Sequence, residues 1–274
     1  MRIIEFRGGL GNQMFEYAHY LYLKEKYPEE RFYGYYPGRE LWVHNGLEIH
    51  RRFNVDLPRA SRLTNIIGWL LFTVNRKLLM PKGWHVSCMA TDEHPNDNAL
   101  FQEGYWQDKK YFSKDFRFTY KTDLINETSK VILKRIKSSE AVAVHVRRGD
   151  YLTCDHPEEF SGICTSAYYQ RAIEYIGNHV DRPMFFFFSD DPEFVRQSFH
   201  LPGMCVVDCN HGEDSFLDMY LMSQCKAMIL ANSTFSFWAA QNNLNHPIVC
   251  CPTRWANVKV LPNITMDGWI EILS

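Results

Sequence analysis

The run His145-Val146-Arg147-Arg148-Gly149-Asp150-Tyr151 sets two guanidinium groups and a carboxylate directly after the apolar stretch 141–146. An arginine that closes a buried strand is poorly placed for a mere surface charge. It suits a grip on phosphate or carboxylate, because its planar fork of N–H donors meets two oxygens at once. Alternation along a strand puts His145 and Arg147 on one face and Val146 and Arg148 on the other. An internal ion pair with Asp150 or Asp191 is the competing reading. Ser189-Asp190-Asp191-Pro192 follows the phenylalanine-rich stretch 184–189. Capping of the next helix accounts for one of its carboxylates, but not for two side by side.

Asp218 falls in the helical stretch 214–225, on the same face as Leu221, Met222 and Cys225. A carboxylate on an apolar face requires donors, from the protein or from a ligand. After the apolar stretch 227–231 comes Asn232-Ser233-Thr234-Phe235-Ser236, a hydroxyl-rich turn that opens a helix. Capping explains one hydroxyl; three at a helix N-terminus fit an anion site. Gly8-Gly9-Leu10-Gly11-Asn12-Gln13 opens another helix and lets the backbone approach a ligand, although a tight structural turn explains it equally well. It is not a dinucleotide fingerprint, because Met14 stands where the third glycine belongs, and it is not a P-loop. Asp-x-Asp, a Cys/His quartet, Gly-x-Ser-x-Gly and the kinase signatures are all missing, so neither a metal nor a cofactor is expected. Arg148-Gly149-Asp150 spells an adhesion tripeptide, but it abuts a buried strand instead of sitting on a loop tip.

The elements that must position these groups are legible as a rhythm. The stretches 141–146, 184–189, 204–208, 227–231 and 248–251 are nearly continuous apolar runs, as in parallel strands covered on both faces. Helical stretches 166–179, 192–199, 214–225 and 234–243 separate them, which argues a doubly wound α/β unit. Each of the four clusters then sits just after a strand or at a helix start, the edge where open α/β sheets bind ligands. The N-terminal part is less regular: a strand at 2–6, a helix near 13–26, then aromatic, glycine and proline residues up to about 58. An amphipathic helix at 122–137 leads to a soft boundary near Ser138–Ser139. The expected domains are 1–138 and 139–274, with a last helix packing back on the first domain.

A chain of 274 residues suggests about two domains. With 46% hydrophobic and 23% charged residues and a net charge of −2, disorder is excluded and a nucleic-acid partner disfavoured. The eight cysteines read as reduced buried thiols; Cys205, Cys209 and His211 resemble only half a zinc site. The N-terminus shows no signal-peptide core, so a cytoplasmic location is expected, and the sequons at Asn126, Asn232 and Asn263 are read as chance. The apolar stretch 66–74 is too short to span a membrane. Arg59, Arg62, Arg76, Lys77 and Lys82 flank it, so peripheral membrane contact stands beside the reading of a half-buried helix.

The ordered set of motifs resembles the α-1,2-fucosyltransferases of glycosyltransferase family 11, especially the compact bacterial type. The set comprises Gly8–Phe15, Gly104-Tyr105-Trp106-Gln107 with Tyr111-Phe112, His145–Tyr151, Ser189-Asp190-Asp191, Asp218–Ser223 and Asn232–Ala239. It runs from residue 5 to about 255. Phe237 departs from the tryptophan that many members have there. The resemblance implies a GT-B-type fold of two Rossmann-like domains facing a cleft, with GDP-fucose in the C-terminal domain. It implies inverting transfer of L-fucose to the 2-hydroxyl of a galactose in a glycan acceptor. By that likeness Arg147 grips the diphosphate and Asp218 and His145 face guanosine. Ser233, Thr234 and Ser236 face the phosphates, and Asp190 and Asp191 lie at the donor site. Arg147, Asp150 and His145 are the expected catalytic residues; Gly9, Gly11, Asn12 and Arg148 complete the donor-side set. The base is left open among Asp150, Asp155, Glu5 and Glu16. Transfer in an α-1,6 linkage, O-fucosylation or a catalytically silent sugar-nucleotide binder are the alternatives. Oligomeric state is not legible.

Overall fold

The computed structural model describes residues 1–41, 44–80, 87–90, 95–149, 157–258 and 264–274. The chain forms two compact units, Met1–Thr119 and Tyr120–Ser274.

The first unit is built on a parallel sheet of four short strands: β1 (Arg2–Glu5), β2 (Phe32–Tyr35), β3 (Cys88–Met89) and β4 (Phe101–Glu103), in the order β2-β1-β4-β3. Helix α1 (Leu10–Lys26) follows β1 directly. Short helices α2 (Gly38–Leu41) and α3 (Ile49–Arg52) lead to α4 (Arg62–Val74). Strand alternation divides the two longer helices between the faces of the sheet. Ile3, Tyr35 and Phe101 pack against Ile67, Leu71 and Phe72 of α4. Gln102, one residue on and therefore on the opposite face, meets His19 of α1 at 3.4 Å.

The second unit carries a six-stranded, all-parallel sheet in the order β10-β9-β8-β5-β6-β7. Its strands are β5 (Ala141–Val146), β6 (Met184–Ser189), β7 (Cys205–Val207), β8 (Ala227–Ile229), β9 (Ile248–Pro252) and β10 (Ile270–Ile272). Between them run α6 (Ser166–Gly177), α7 (Pro192–Ser198), α8 (Phe216–Met222) and α9 (Thr234–Gln241); α5 (Glu127–Lys137) precedes β5. The continuous apolar runs have the cause expected of them, since helices cover both faces. Val142, Val144, Val146, Phe185 and Phe187 meet Tyr168, Tyr169, Ala172 and Ile176 of α6. On the other face Arg135 of α5 lies over the ring of Phe186 and Phe235 of α9 lies 5.8 Å from His145.

Three boundaries differ from the sequence reading. The compact units divide after Thr119 and not near Ser138–Ser139. The physical reason is that α5 belongs to the second sheet's layers: its Arg135 also donates to Cys205 Sγ at 3.2 Å. The stretch 214–225 holds only a two-turn helix, α8, after a 3-10 turn at Gly212–Ser215. The expected last helix is not found: no helix follows β9 among the described residues. The chain ends in β10, where Ile270 and Ile272 face the core of the second unit and Glu271 turns out. The seven described cysteines are free thiols. Among the described residues no three His, Cys, Asp or Glu side chains gather as a metal site, Cys205–His211 included. No helix among them is long and apolar enough to cross a membrane.

Candidate active site

The second sheet has one topological switch point. From β5 the chain winds outward through β6 and β7, then returns to lay β8 on the other side of β5. The loops after β5 and β8 therefore leave the sheet's carboxyl edge in opposite directions, and the gap between them is where such sheets hold ligands. The loop after β5 carries Arg147; the loop after β8 carries Asn232-Ser233 and the start of α9.

Asp190, just beyond β6, organises the first of these loops. Its Oδ1 accepts the Arg148 N–H at 2.9 Å, and its Oδ2 accepts the Gly149 N–H at 2.9 Å. Arg147 Nη1 lies 3.2 Å from the same Oδ2, with both side chains partly exposed. Among the described residues the carboxylate against it is Asp190; Asp191, one of the two expected, goes to Arg148 instead, and Asp150, the other, lies outside the described residues. Asp191 does two jobs. Its Oδ1 caps α7 by accepting the Phe194 N–H at 3.0 Å, and its Oδ2 meets Arg148 Nε at 3.3 Å. The Arg148 guanidinium also lies 3.6 Å over the ring of Phe194. Arg148 is thereby tied into the β6–α7 corner. That corner engages the arginine of the adhesion tripeptide, and Asp150, with Asp155, lies outside the described residues.

His145 is buried, and its Nδ1 has no hydrogen-bond partner. Burial, helped by the nearby Arg147 charge, pushes its pKa down to about 3, so the ring is neutral at ordinary pH. It offers an aromatic face beside Phe235 and no positive charge for a phosphate.

Asp218 sits in the first turn of α8 among the buried Phe216, Leu217, Met219, Leu221 and Met222. Burial pushes its carboxyl up to about 7; the Asn210 hydrogen bond works against this and the Asp208 charge adds to it. Asn210 Nδ2 donates to Asp218 Oδ1 at 2.7 Å, and Ser129 Oγ of α5 donates to Asn210 Oδ1 at 2.9 Å. Ser129 and Asn210 thus position Asp218. The sequence reading missed both, because no periodicity links a helix residue to a loop residue 81 positions away.

The turn at the start of α9 is less open than its composition suggests. Ser233 is the N-cap, accepting the Phe235 N–H at 3.3 Å. Ser236 is fully buried and donates back to the Ala231 and Ser233 carbonyls, both at 3.2 Å. Its hydroxyl is engaged inside the helix, which takes one of the three hydroxyls out of the anion site expected from the sequence. Asn232 is buried too, donating to the Phe160 and Trp255 carbonyls, so its sequon is structural. Phe237 packs among Trp238, Trp255 and Trp269.

In the first unit, the turn after β1 is built around Gln13. This buried amide donates to the Gly8 and Gly46 carbonyls, both at 2.9 Å, and accepts the Glu48 and Ile49 N–H groups at 2.8 and 3.2 Å. Gly8 holds φ at +69°, and an added Cβ would meet the Asn12 amide at 2.9 Å. Gly9 is the N-cap position of α1 and Gly11 is buried in its first turn. Asn12 Oδ1 accepts from Gln107 Nε2 at 3.0 Å, so the Gly104–Gln107 motif and the glycine turn form one structure. Arg7, absent from the sequence reading, sits at the same edge. Its Nε is 3.4 Å from Glu5 Oε2, its backbone N–H donates to Glu16 Oε2 at 3.0 Å, and its guanidinium lies 4.8 Å over Tyr105. Glu5 and Glu16 are fully buried and hold this turn together.

The sequence model described as "Glycosyl transferase family 11" matches residues 1–273. The chain belongs to that family. Family-11 relatives similar to it over their whole length include the O-antigen biosynthesis glycosyltransferase WbnK and an alpha-1,2-colitosyltransferase, both of Escherichia coli. Each is 29% identical over 98% of its own length, covering 97% and 98% of this chain. Galactoside alpha-(1,2)-fucosyltransferase 1 of Leontocebus fuscicollis is 30% identical over 43% of this chain and 35% of its own. Among solved structures, the NodZ alpha-1,6-fucosyltransferase soaked with GDP-fucose shares the fold. It superposes with a TM-score of 0.51 at 14% identity over 88% of this chain and 91% of its own. The GT-B-type α/β architecture and the glycosyltransferase class expected from the sequence are both correct for this family-11 chain.

Proposed function

We propose that this glycosyltransferase moves L-fucose from GDP-β-L-fucose to the 2-hydroxyl of a galactose in a glycan, with inversion, forming an α-1,2 linkage. The observation that carries the reading is Arg147 on the loop after β5, the strand next to β8, whose following loop opens α9, in the sheet whose β7 leads to Asp218 in α8. Breaking the sugar–phosphate bond leaves a diphosphate whose charge grows in the transition state. A guanidinium fork and a helix N-terminus stabilise that charge, and no Asp-x-Asp metal clamp is available in the sequence to do it. When the diphosphate takes Arg147, Asp190 is not stranded, because two backbone N–H groups still satisfy it. Ser233 and Thr234 offer hydroxyls to the phosphates. Asp218 accepts the two N–H donors of guanine's edge, oriented by Asn210. Its carboxyl ionises as those donors arrive. In this reading Gly9, Gly11 and Asn12, expected on the donor side, shape the turn around Gln13 and do not grip the nucleotide. Asp150 and Asp155 stand as the candidate bases in this reading, either one taking the proton of the attacking hydroxyl.

A second reading changes only the sugar. The colitosyltransferase relative supports a 3-deoxy counterpart of fucose on the same nucleotide. The test is incubation with GDP-fucose, GDP-colitose and a galactoside panel, with and without EDTA, and linkage analysis of any product. Transfer from GDP-fucose to a galactose 2-hydroxyl, undiminished by EDTA, is expected. No transfer from GDP-fucose would reject the reading. Loss in EDTA with rescue by manganese would reject its metal-independent chemistry.

A further inference from the structure

Helix α4 is apolar on both of its sides. The inner side packs on the sheet through Ile67, Leu71 and Phe72. Gly68 lies so close to Tyr35 that a Cβ there would sit 2.7 Å from the ring. Just past the helix, Asn75 is buried and donates to Ser87 Oγ at 2.6 Å and Glu103 Oε2 at 3.0 Å. The helix is therefore seated firmly, and a second apolar stripe faces away from the sheet. Leu63, Ile66, Trp69 and Leu70 are 66%, 55%, 56% and 47% exposed, and Leu78 and Met80 continue the patch. A helix on a globular protein normally turns polar residues outward, and a contiguous exposed apolar patch marks an interaction surface.

Charge decides among the possible occupants. Arg59, Arg62 and Lys77 are exposed around the patch. Between Asp56 and Asp92 the sequence has no acidic residue, although the whole chain carries a net charge of −2. A second copy docked on this face would bring like charges together. A surface of anionic headgroups is complementary to both the rim and the stripe. Trp69, in the middle of the stripe, has the amphipathic ring that settles at the headgroup boundary. The 13 residues of α4 span far less than the ~30 Å hydrocarbon core, so the helix lies along the surface and does not cross it.

We propose that α4 docks this protein peripherally on anionic lipid bilayers, with Leu63, Ile66, Trp69 and Leu70 inserted at the headgroup–acyl boundary and Arg59, Arg62 and Lys77 against the headgroups. This goes beyond the transferase reading and does not rest on it. The test is sedimentation of the full chain with phosphatidylcholine vesicles, with and without phosphatidylglycerol. Binding to the anionic vesicles that weakens as salt rises is expected. The double variant Ile66→Ser/Leu70→Ser should bind on the order of 10²-fold more weakly at an unchanged melting temperature, since both side chains face outward. The triple variant Arg59→Gln/Arg62→Gln/Lys77→Gln should lose roughly 10²-fold, about fivefold per charge. Wild-type protein left in the supernatant at low salt would overturn the proposal, and so would a serine variant that sediments like wild type. A lipid-free dimer broken by the same serine pair would give the face to a second copy. Equally tight binding to polyglutamate would give it to an acidic macromolecule.

Discussion

The carboxyl edges of the two sheets are built from similar residues and left in opposite states. After β1, two fully buried carboxylates, an arginine and a glutamine amide are engaged with one another and with the backbone of the glycine turn. After β5, after β6 and in α8, Arg147, Asp190 and Asp218 keep part of their surface exposed, and Asp218 is held away from its ordinary ionisation. The first edge is turned onto the protein's own backbone. The second holds charged groups that stay partly exposed, and a carboxyl shifted by its burial. The contrast also separates residues that look alike in sequence. Arg147 and Arg148 are neighbours, yet Arg147 meets Asp190 while Arg148 meets Asp191 and stacks on Phe194.

The sharpest way to break that contrast is to exchange each arginine for lysine. Arg147→Lys should lower turnover by about 10²–10³, more than it weakens donor binding, because the lost fork matters most when phosphate charge is greatest. Arg148→Lys should instead lower the melting temperature and leave turnover within a few-fold. Steady-state kinetics at saturating donor, beside thermal melts, reads both; the reverse ordering would dismiss the role given to each.

Asp218 should come next. Asp218→Asn should weaken GDP binding about 10²-fold, since guanine's donors lose their carboxylate. Because the free carboxyl titrates at about 7, wild-type GDP binding at pH 6 should release close to one proton, and at pH 8 almost none. Calorimetry in buffers of different ionisation enthalpy measures this. A release that persists in the asparagine variant would assign the proton elsewhere.

The first edge should answer differently. Gln13→Leu leaves two buried N–H groups and two carbonyls without their partner, which should cost about 2–4 kcal/mol of stability. GDP affinity should stay normal wherever the variant is folded. Denaturant unfolding and GDP titration on one preparation separate the two effects; a tenfold loss of GDP affinity in a folded variant would place the glycine turn at the nucleotide.

The smallest effect is a pH dependence of opposite sign at two groups. His145 titrates at about 3 when folded and near 6.5 when unfolded, so the unfolded chain takes up its proton first as pH falls. Stability from His145 is complete above about 6.5 and is lost down to about 3. Asp218 is shifted upward, so its contribution is present at low pH and is lost as pH rises from about 4 to about 7. Between pH 4 and 6, His145→Phe should therefore flatten the rise of stability with pH, and Asp218→Asn should steepen it. Each difference is at most one proton, about 1.4 kcal/mol per pH unit. Melts across that range in the three proteins check the signs.

The second sheet was legible because each central strand is a run of apolar residues long enough to dominate its surroundings. Val142 to Val146 and Phe185 to Phe188 have no other economical place than a sheet covered on both sides. From that rhythm, the positions of Arg147, Asp190, Asp191 and Ser233 at the carboxyl edge followed. The first sheet was not legible beyond β1. Its strands β2, β3 and β4 are two to four residues long and read FYGY, CM and FQE, too short for any period to show. Partners were decided only by the tertiary structure. Alternation says which way Arg147 points, not that Asp190 meets it. Composition offers Ser236 to an anion, while burial turns its hydroxyl onto carbonyls. Ser129 and Asn210 become supports of Asp218 only when α5 and the loop after β7 are folded together. The physical reason is the same throughout. Periodicity is a property of a segment and survives in the sequence, whereas a hydrogen bond between distant segments depends on where each has been packed.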